Sequence, residues 1–270
     1  MTRQFYGSQR ESISMTYLID DAIFFTQEEF IFPSDIVIPS GYSTYSTSVT
    51  SSGKFLYIRY IAEESNYNIQ LAIGEVSEAL FNYTTYTSTS TLGSPVTGSS
   101  PKAEVVEVSD SKFAFLSSDA AGVRLFVFDT ATLPFKAVPI DVNLSPSERI
   151  SVTKIDSETV SLASYDNGIH IKTINLNSGE EIASTTISGS NSAPEIITLQ
   201  DGSIGVVYQS YSETDGLFSD IRFAILDNKN LEVINDISIN PHTAGWQSFP
   251  KVAVDTDGNI FFAWQSEQSG

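Results

Sequence analysis

A hairpin-like segment recurs five times along the chain, and this repeat constrains the fold more than any other feature. Each copy has a few alternating residues, a turn rich in Asp, Gly or Ser, and then an apolar strand. A two-stranded hairpin is at best marginally stable in water, so each copy requires partner strands. The turn centres are Gly53, Ser111, Ser157, Gly202 and Gly258.

A second pair of strand-like segments follows each of the first four copies. These segments alternate polar and apolar residues, and the connections are rich in Gly, Ser, Asn and Asp. No apolar stripe of helical period and useful length is present. Four short strands in a unit of about fifty residues are typical of one β-propeller blade, whereas a β-sandwich with long hairpins is the alternative. The sequence therefore predicts an all-β propeller, with complete blades over about residues 42–90, 98–143, 147–188 and 192–240.

The fifth copy, residues 250–266, is not followed by outer strands, but the N-terminal residues contain segments of the missing type. The segment SISMTYLID from Ser12 is similar in pattern to DIRFAILDN from Asp220, and PSDIVIP from Pro33 is similar to NDISIN from Asn235, which predicts strands over residues 12–20 and 33–38. Strands from both ends that complete one blade would leave no open sheet edge at the join. We therefore predict a five-bladed β-propeller that is a single domain over residues 1–270, its last blade formed by residues 250–270 with 12–39, where 12–38 supply the outer strands. The alternative is that the chain is part of a larger protein with further blades.

Composition excludes several classes of function. The formal net charge is −19, from 33 acidic and 14 basic residues, which argues against binding a nucleic acid backbone. No apolar segment is long enough to insert into a membrane, and the N-terminus lacks the apolar stretch of a secretory signal peptide. There are no cysteines, so thiolate metal sites and cysteine nucleophiles are excluded. His170 and His242 are the only histidines, which excludes a histidine-rich zinc site.

The last two hairpins resemble the repeats of bacterial and viral surface β-propellers. In DGSIGVVYQS and DTDGNIFFAWQS, an Asp-Gly turn precedes an apolar strand, and the second of these strands ends in Trp-Gln-Ser as in those repeats. The resemblance implies the architecture only, because one fold serves many functions. Together with the missing leader segment, it favours an extracellular or virion-associated protein. A weaker resemblance to the Asp-box of sialidase-like propellers at Ser164, Asp166 and Gly168 implies a folding turn, since Ile171 replaces the tryptophan.

Aromatic, carboxylate and amide residues fall in loops that a propeller places on one face. Aromatic rings stack on the apolar face of a sugar, and carboxylates and amides bind its hydroxyl groups. Solvated loop residues are the alternative interpretation. The candidate ligand-binding residues are Tyr45, Tyr67, Asp166, Asn167 and Trp246.

Two acidic loops are candidates for a calcium site. Ca²⁺ takes six to eight oxygen ligands, and Glu213, Asp215 and Asp220 belong to the longest loop of their kind. Residues 255–259, DTDGN, also have the composition of a calcium loop, but a hairpin turn explains this segment fully. The sequence therefore gives Ca²⁺ as the one candidate cofactor.

Three classes of function remain. The first is a non-catalytic binding or structural module that recognises a glycan or belongs to a virion or cell-surface assembly. The second is a glycoside hydrolase, which needs two positioned carboxylates; Glu104 and Glu195 are the candidates, although no Asp opens an inner strand. The third is a protein-interaction scaffold with an exposed apolar patch, for which Phe5, Tyr6, Phe30 and Phe32 are candidates. The expected partner is thus a glycan or a protein.

Overall fold

The computed structural model shows an all-β protein. No helix in the described part of the chain is long and apolar enough to cross a membrane. Side chains are described from Glu104 onward, except at Asp119, Val138 and Pro139. The backbone is described for residues 10–19, 22–31, 45–49, 54–63, 66–77, 80–92, 102–119, 122–129, 131, 138–147, 149–189, 191–211, 219–240 and 245–267.

The chain divides into two compact units, Met1–Ser43 and Thr44–Gly270. The first unit contains an antiparallel hairpin, in which β1 (Arg10–Ile19) pairs with β2 (Ala22–Ile31). The sequence predicted strands over residues 12–20 and 33–38. The first coincides with β1, whereas β2 was not predicted. Residues 33–38 themselves lie outside the described residues.

The second unit contains four sheets of four antiparallel strands, and in each sheet the strands are neighbours in chain order. This confirms the predicted four-strand repeat. The first sheet has β3 (Tyr45–Val49), β4 (Lys54–Glu63), β5 (Asn66–Ser77) and β6 (Leu80–Leu92). The second has β7 (Lys102–Ser109), β8 (Lys112–Asp119), β9 (Gly122–Asp129) and β10 (Val138–Leu144). The third has β11 (Ile150–Lys154), β12 (Thr159–Tyr165), β13 (Ile169–Asn175) and β14 (Glu181–Ile187). The fourth has β15 (Asn191–Thr198), β16 (Ile204–Tyr211), β17 (Ser219–Leu226) and β18 (Val233–Ser238).

Consecutive sheets pack face to face, and the first strand of each sheet contacts the first strand of the next. These contacts join β3 to β7, β7 to β11, β11 to β15, and β15 to β19 (Gln247–Val254). The second strands β12 and β16 are almost wholly buried, whereas the fourth strands β14 and β18 are largely exposed. In a β-propeller blade the first strand is innermost and the fourth strand is outermost, and the sheets of this protein have that arrangement.

The core consists of apolar layers between neighbouring sheets. Leu116 and Leu162 belong to the layer between the second and third sheets. On β16, Val206 faces the third sheet, whereas Val207 faces the opposite way and packs toward β19 and β20 (Ile260–Ser266). The buried second strand therefore needs apolar residues at consecutive positions, since successive side chains point to opposite faces. Burying each large apolar side chain contributes about 1.5–3 kcal/mol to folding.

Hydrogen bonds between residues close in sequence stabilise the hairpin turns, which explains why similar turn residues recur along the chain. The carboxylate of Asp201 accepts bonds from the backbone N–H and the hydroxyl of Ser203, at 2.9 and 2.6 Å. These bonds hold the pKa of Asp201 below its usual value, the hydroxyl making the largest contribution. Gly202 and Gly258 have φ values of +84° and +85°, which glycine adopts at little cost. The Asp-Gly pair thus favours the turn through its own side chain and backbone.

Side chains of the inner strands also tie neighbouring sheets together. In each case an oxygen on one first strand accepts a hydrogen bond from the backbone N–H of the next first strand. The three bonds run from Val152 to the carboxylate of Glu104 (2.8 Å), from Ile196 to the hydroxyl of Ser151 (3.2 Å) and from Thr198 to the hydroxyl of Thr153 (3.1 Å). Polar residues at these inner positions therefore satisfy backbone groups that the sheet ladders leave free.

The C-terminal sheet, formed by β19 and β20, has two strands. Phe262 and Trp264 pack toward the fourth sheet, while Phe261 is 57% exposed on the other face. Among the described residues β20 pairs with β19 alone, and β1 pairs with β2. The five-bladed ring completed by residues 12–38 is therefore not confirmed, and it stays a prediction, as does the single domain over residues 1–270.

Candidate functional site

A cleft of about 660 Å³ opens where three sheets meet at one end of their strands. It is lined by the β12–β13 turn, the starts of β15 and β19, the end of β16, and the residues that flank β11 and β20. Four aromatic side chains and several polar groups share the surface. The lining residues are Pro146, Ser147, Arg149, Tyr165, Asp166, Asn167, Ser192, Ala193, Gln209, Tyr211, Trp246, Ser248, Phe249 and Glu267.

Three of the five candidate ligand residues, Asp166, Asn167 and Trp246, line this one cleft. Their shared location agrees with the prediction that these loops lie on one face. The other two candidates, Tyr45 and Tyr67, lie in β3 and β5, and their side chains are outside the described residues. Binding of a ligand by any of the five stays a prediction.

Trp246 is the largest aromatic side chain of the cleft, with 40% of its surface exposed. Its ring meets the ring of Tyr211 edge-on, with the centroids 5.9 Å apart and an angle of 71° between the planes. Its carbonyl accepts a hydrogen bond from the N–H of Glu267 at 2.9 Å. The side chain is therefore held in place at its backbone and its ring while a part of the ring remains available to a ligand.

A buried polar network lies directly behind Trp246. Gln247 is 1% exposed, and its side-chain oxygen accepts a hydrogen bond from the indole N–H of Trp264 at 3.0 Å. The hydroxyl of Ser219 accepts from the Gln247 N–H (3.1 Å) and donates to the Gln247 carbonyl (2.6 Å). A buried network with paired members fixes geometry, so this end of β19 is a rigid support for the cleft.

Three residues of the cleft have left-handed backbone conformations: Asn167 (φ 53°), Ala193 (φ 49°) and Phe249 (φ 53°). Ala193 and Phe249 occupy the same place in two Ser-x-Pro segments, and in both the ladder shifts at a β-bulge. Such conformations cost about 1–3 kcal/mol for ordinary residues and cluster at functional sites. The bulges turn position 193 and position 249 into the cleft, where one carries a methyl group and the other a phenyl ring.

The β12–β13 turn presents Asp166 and Asn167. His170 supports it, because its Nε2 lies 2.8 Å from the carbonyl oxygen of Asp166. A carbonyl only accepts, so Nε2 carries the proton and Nδ1 accepts from the hydroxyl of Thr186 at 3.1 Å. Gly168 follows with φ +150°. These contacts give His170 a structural role and leave the Asp166 carboxylate at the cleft.

Arg149 brings a cation into the cleft. Its guanidinium lies over the ring of Phe249, 4.9 Å from the ring centroid. Arg149 directly precedes β11 of the third sheet and Phe249 lies in β19 of the C-terminal sheet, so the contact joins two sheets at the cleft. Elsewhere in the cleft lining, the hydroxyls of Ser192 and Tyr211 are 3.2 Å apart. Arg149, Ala193 and Phe249 were missed in the sequence, although the repeated Ser-x-Pro at residues 192–194 and 248–250 marks two of them.

The two candidate catalytic carboxylates lie on inner strands outside the cleft lining. The carboxylate of Glu195 forms an ion pair with Lys251, and the carboxylate of Glu104 accepts from the N–H of Val152. Burial raises the pKa of Glu104 to about 7, opposed by the charge of Lys251 and by the Val152 hydrogen bond. Both carboxylates therefore have structural partners, and a catalytic role for either stays a prediction.

The calcium candidates are largely outside the described residues. Glu213 and Asp215 lie outside the described residues. The carboxylate of Asp220 accepts a hydrogen bond from the side-chain amide of Asn240 at 3.0 Å. Within the described ranges, no three His, Asp or Glu side chains come together to form a metal site. At residues 255–259, the carboxylate of Asp255 binds the backbone and amide N–H groups of Asn259, at 2.8 and 2.7 Å. Hydrogen bonds within this turn therefore use the Asp255 carboxylate. Calcium binding at residues 213–220 stays a prediction.

No protein-family model matches the sequence, and no curated protein matches it. Similar solved structures include the β-propeller domain of the Trilobed protease from Pyrococcus furiosus, at 11% identity and a TM-score of 0.46 over 87% of this chain and 71% of that chain. They also include an endo-arabinase from Bacteroides thetaiotaomicron, at 14% identity and a TM-score of 0.41 over 86% of this chain and 92% of that one. The C-terminal WD40 domain of Sif2 matches at 12% identity and a TM-score of 0.41, over 93% and 86% of the two chains. These proteins differ in function, so they assign none to this chain.

Proposed function

We propose that this chain is a non-catalytic binding module that recognises a glycan in the cleft around Trp246. The observation that carries the proposal is the combination of exposed aromatic rings with carboxylate, amide and hydroxyl groups on one concave surface. A pyranose has an apolar face that stacks on such rings and hydroxyl groups that bind such polar atoms. The volume of about 660 Å³ matches one to a few sugar units.

The rigidity of the cleft supports binding rather than a purely structural role. Trp246 and Tyr211 contact each other, and the Gln247 network fixes the strand behind them. Pre-formed sites lose little conformational entropy when a ligand binds. The net charge of −19 keeps the surface soluble and does not oppose a neutral sugar.

The test is a glycan-array screen followed by titration calorimetry with each sugar that binds, with and without calcium. We expect Trp246→Ala to weaken binding at least tenfold, because the stacking surface is lost. Phe261→Ala is the matched control, since Phe261 is an exposed aromatic residue of the same sheet outside the cleft lining. Ala193→Phe fills the cleft, and Phe249 shows that the same backbone conformation accommodates that side chain.

Three outcomes would contradict the proposal. One is the absence of any sugar binding at millimolar concentration. Another is equal loss of binding in Trp246→Ala and Phe261→Ala. The third is the release of shorter sugars from a bound glycan, which would favour the glycoside hydrolase alternative with Glu104 and Glu195.

A protein-interaction scaffold is the second candidate, and one observation favours it. Val233, Ile234 and Ile237 on β18 are 49%, 65% and 47% exposed, which gives the fourth sheet an apolar outer edge. An exposed apolar strand edge is a surface on which another chain can pair. A place in a virion or cell-surface assembly, outside the cell, fits either candidate, and size measurement in solution tests for assembly.

A further inference from the structure

Arg149 contacts an aromatic ring, whereas three other basic side chains of this protein contact carboxylates. Lys172, Arg222 and Lys251 each form an ion pair with a carboxylate. Arg149 is exposed, and the contact of its side chain within the described residues is the face of the Phe249 ring. This cation–π contact holds the guanidinium over the ring at the cleft.

Two carboxylates line the same cleft, yet neither forms an ion pair with this arginine. Asp166 binds the side chain of its neighbour Asn167 at 3.2 Å, and Glu267 lies beside Trp246. A guanidinium carries five N–H donors in a planar fork, and the contact with the ring face uses none of them as a conventional hydrogen-bond donor. The geometry of a carboxylate matches two of these donors at once.

We propose that the glycan bound in this cleft carries one carboxylate, as in a uronic acid, and that Arg149 binds it. This inference rests on the proposed function, because Trp246 supplies the surface on which the same sugar unit stacks. Asp166 and Glu267 then bind hydroxyl groups and repel additional negative charge. The cleft therefore selects a glycan with a single acidic unit over a sulfated or polyuronic chain, to which the net charge of −19 is also unfavourable.

The experiment compares matched methyl glycosides by titration calorimetry: glucuronic acid, its methyl ester and glucose, and the same three forms in the galactose and mannose series. We expect the acid of the bound series to bind at least tenfold more tightly than the ester or the neutral sugar, as a charge-assisted bidentate contact implies. Arg149→Gln removes this preference, so that the acid, the ester and the neutral sugar of the bound series have similar affinities. Arg149→Lys keeps the charge and recovers only part of the preference. Thermal unfolding of each variant checks that it is folded.

The outcomes separate this inference from the proposed function. Equal affinity for acid, ester and neutral sugar, or a preference for the acid that persists in Arg149→Gln, would overturn the carboxylate proposal and leave glycan binding intact. Tighter binding of heparin or polygalacturonate than of the single acidic unit would also overturn it. The absence of binding in all three series would overturn both.

Discussion

The fourth sheet and the C-terminal sheet begin with nearly the same hairpin but differ in what covers it. DGSIGVVYQS forms β16, whose first six residues are buried, whereas DGNIFFAWQS forms β20, which is half exposed. Gly205 and Phe261 occupy the same place in the two hairpins. Over Gly205 lies the ring of Phe223 from the third strand of its sheet, while Phe261 is 57% exposed. The comparison teaches that the hairpin specifies its strands, but burial depends on the strands and sheets placed around it.

The largest expected effect comes from removing one aromatic ring from each of the two sheets, which tests the difference in burial between them. Phe223 is 3% exposed and meets Phe262 edge-on at 4.9 Å, so Phe223→Ala leaves a cavity between the sheets. We expect Phe223→Ala to lower the free energy of unfolding by about 3–5 kcal/mol, and Phe261→Ala to change it by less than about 0.5 kcal/mol. Urea denaturation of both variants measures the difference. Losses of similar size would mean that Phe261 is buried in the folded protein.

A methyl group at Gly205 tests the same contact from the opposite side. An added Cβ would lie 2.7 Å from the Phe223 ring and 3.1 Å from a methyl carbon of Ile197, which is closer than packing allows. We expect Gly205→Ala to lower the free energy of unfolding by about 1–3 kcal/mol through overpacking. In the double variant with Phe223→Leu, much of this loss should be recovered. Full additivity of the two changes would show that the predicted clash is absent.

The smallest expected effect concerns the inner strands, where Glu104 of the second sheet has a raised pKa and Glu195 of the fourth sheet has an ion-pair partner. The pKa of Glu104 in the folded state, about 7, lies above its unfolded value, so the stabilising proton is lost as pH rises through this range. Unfolding free energy should therefore fall between about pH 4.5 and 7, by about 1–2 kcal/mol after allowance for partial exposure.

Glu104→Gln provides the measurement. The amide oxygen still accepts from Val152, so this variant should be more stable than the native protein at pH 8 and close to it at pH 4. Urea titrations at both pH values give the comparison. Glu195→Gln is the matched control, because it loses the ion pair with Lys251 but keeps the burial that is the largest cause of the raised pKa of Glu104, to which the charge of Glu195 is the smallest contributor. A stability difference between Glu104→Gln and the native protein that is the same at both pH values would contradict the assignment.

The sequence predicted the strands well because their signals are local. Alternation, Asp-Gly turns and buried apolar runs placed all five hairpins and the outer strands of the four complete sheets. The strand β2, Ala22–Ile31, was not predicted, because AIFFTQEEFI carries no turn or repeat signal that distinguishes it from a connection. The site was predicted in part: Asp166, Asn167 and Trp246 follow from loop position, whereas Ala193 and Phe249 depend on bulges.

The sequence by itself determined the repeating four-strand unit, the turns that carboxylates close, and the acidic, cysteine-free surface. Each of these depends on residues that are close along the chain. The tertiary structure alone decided that the guanidinium of Arg149 lies over the ring of Phe249, and that Ala193 and Trp246 line the same cleft. These residues come from different sheets, and their proximity depends on how the sheets pack around one another, which no local pattern encodes.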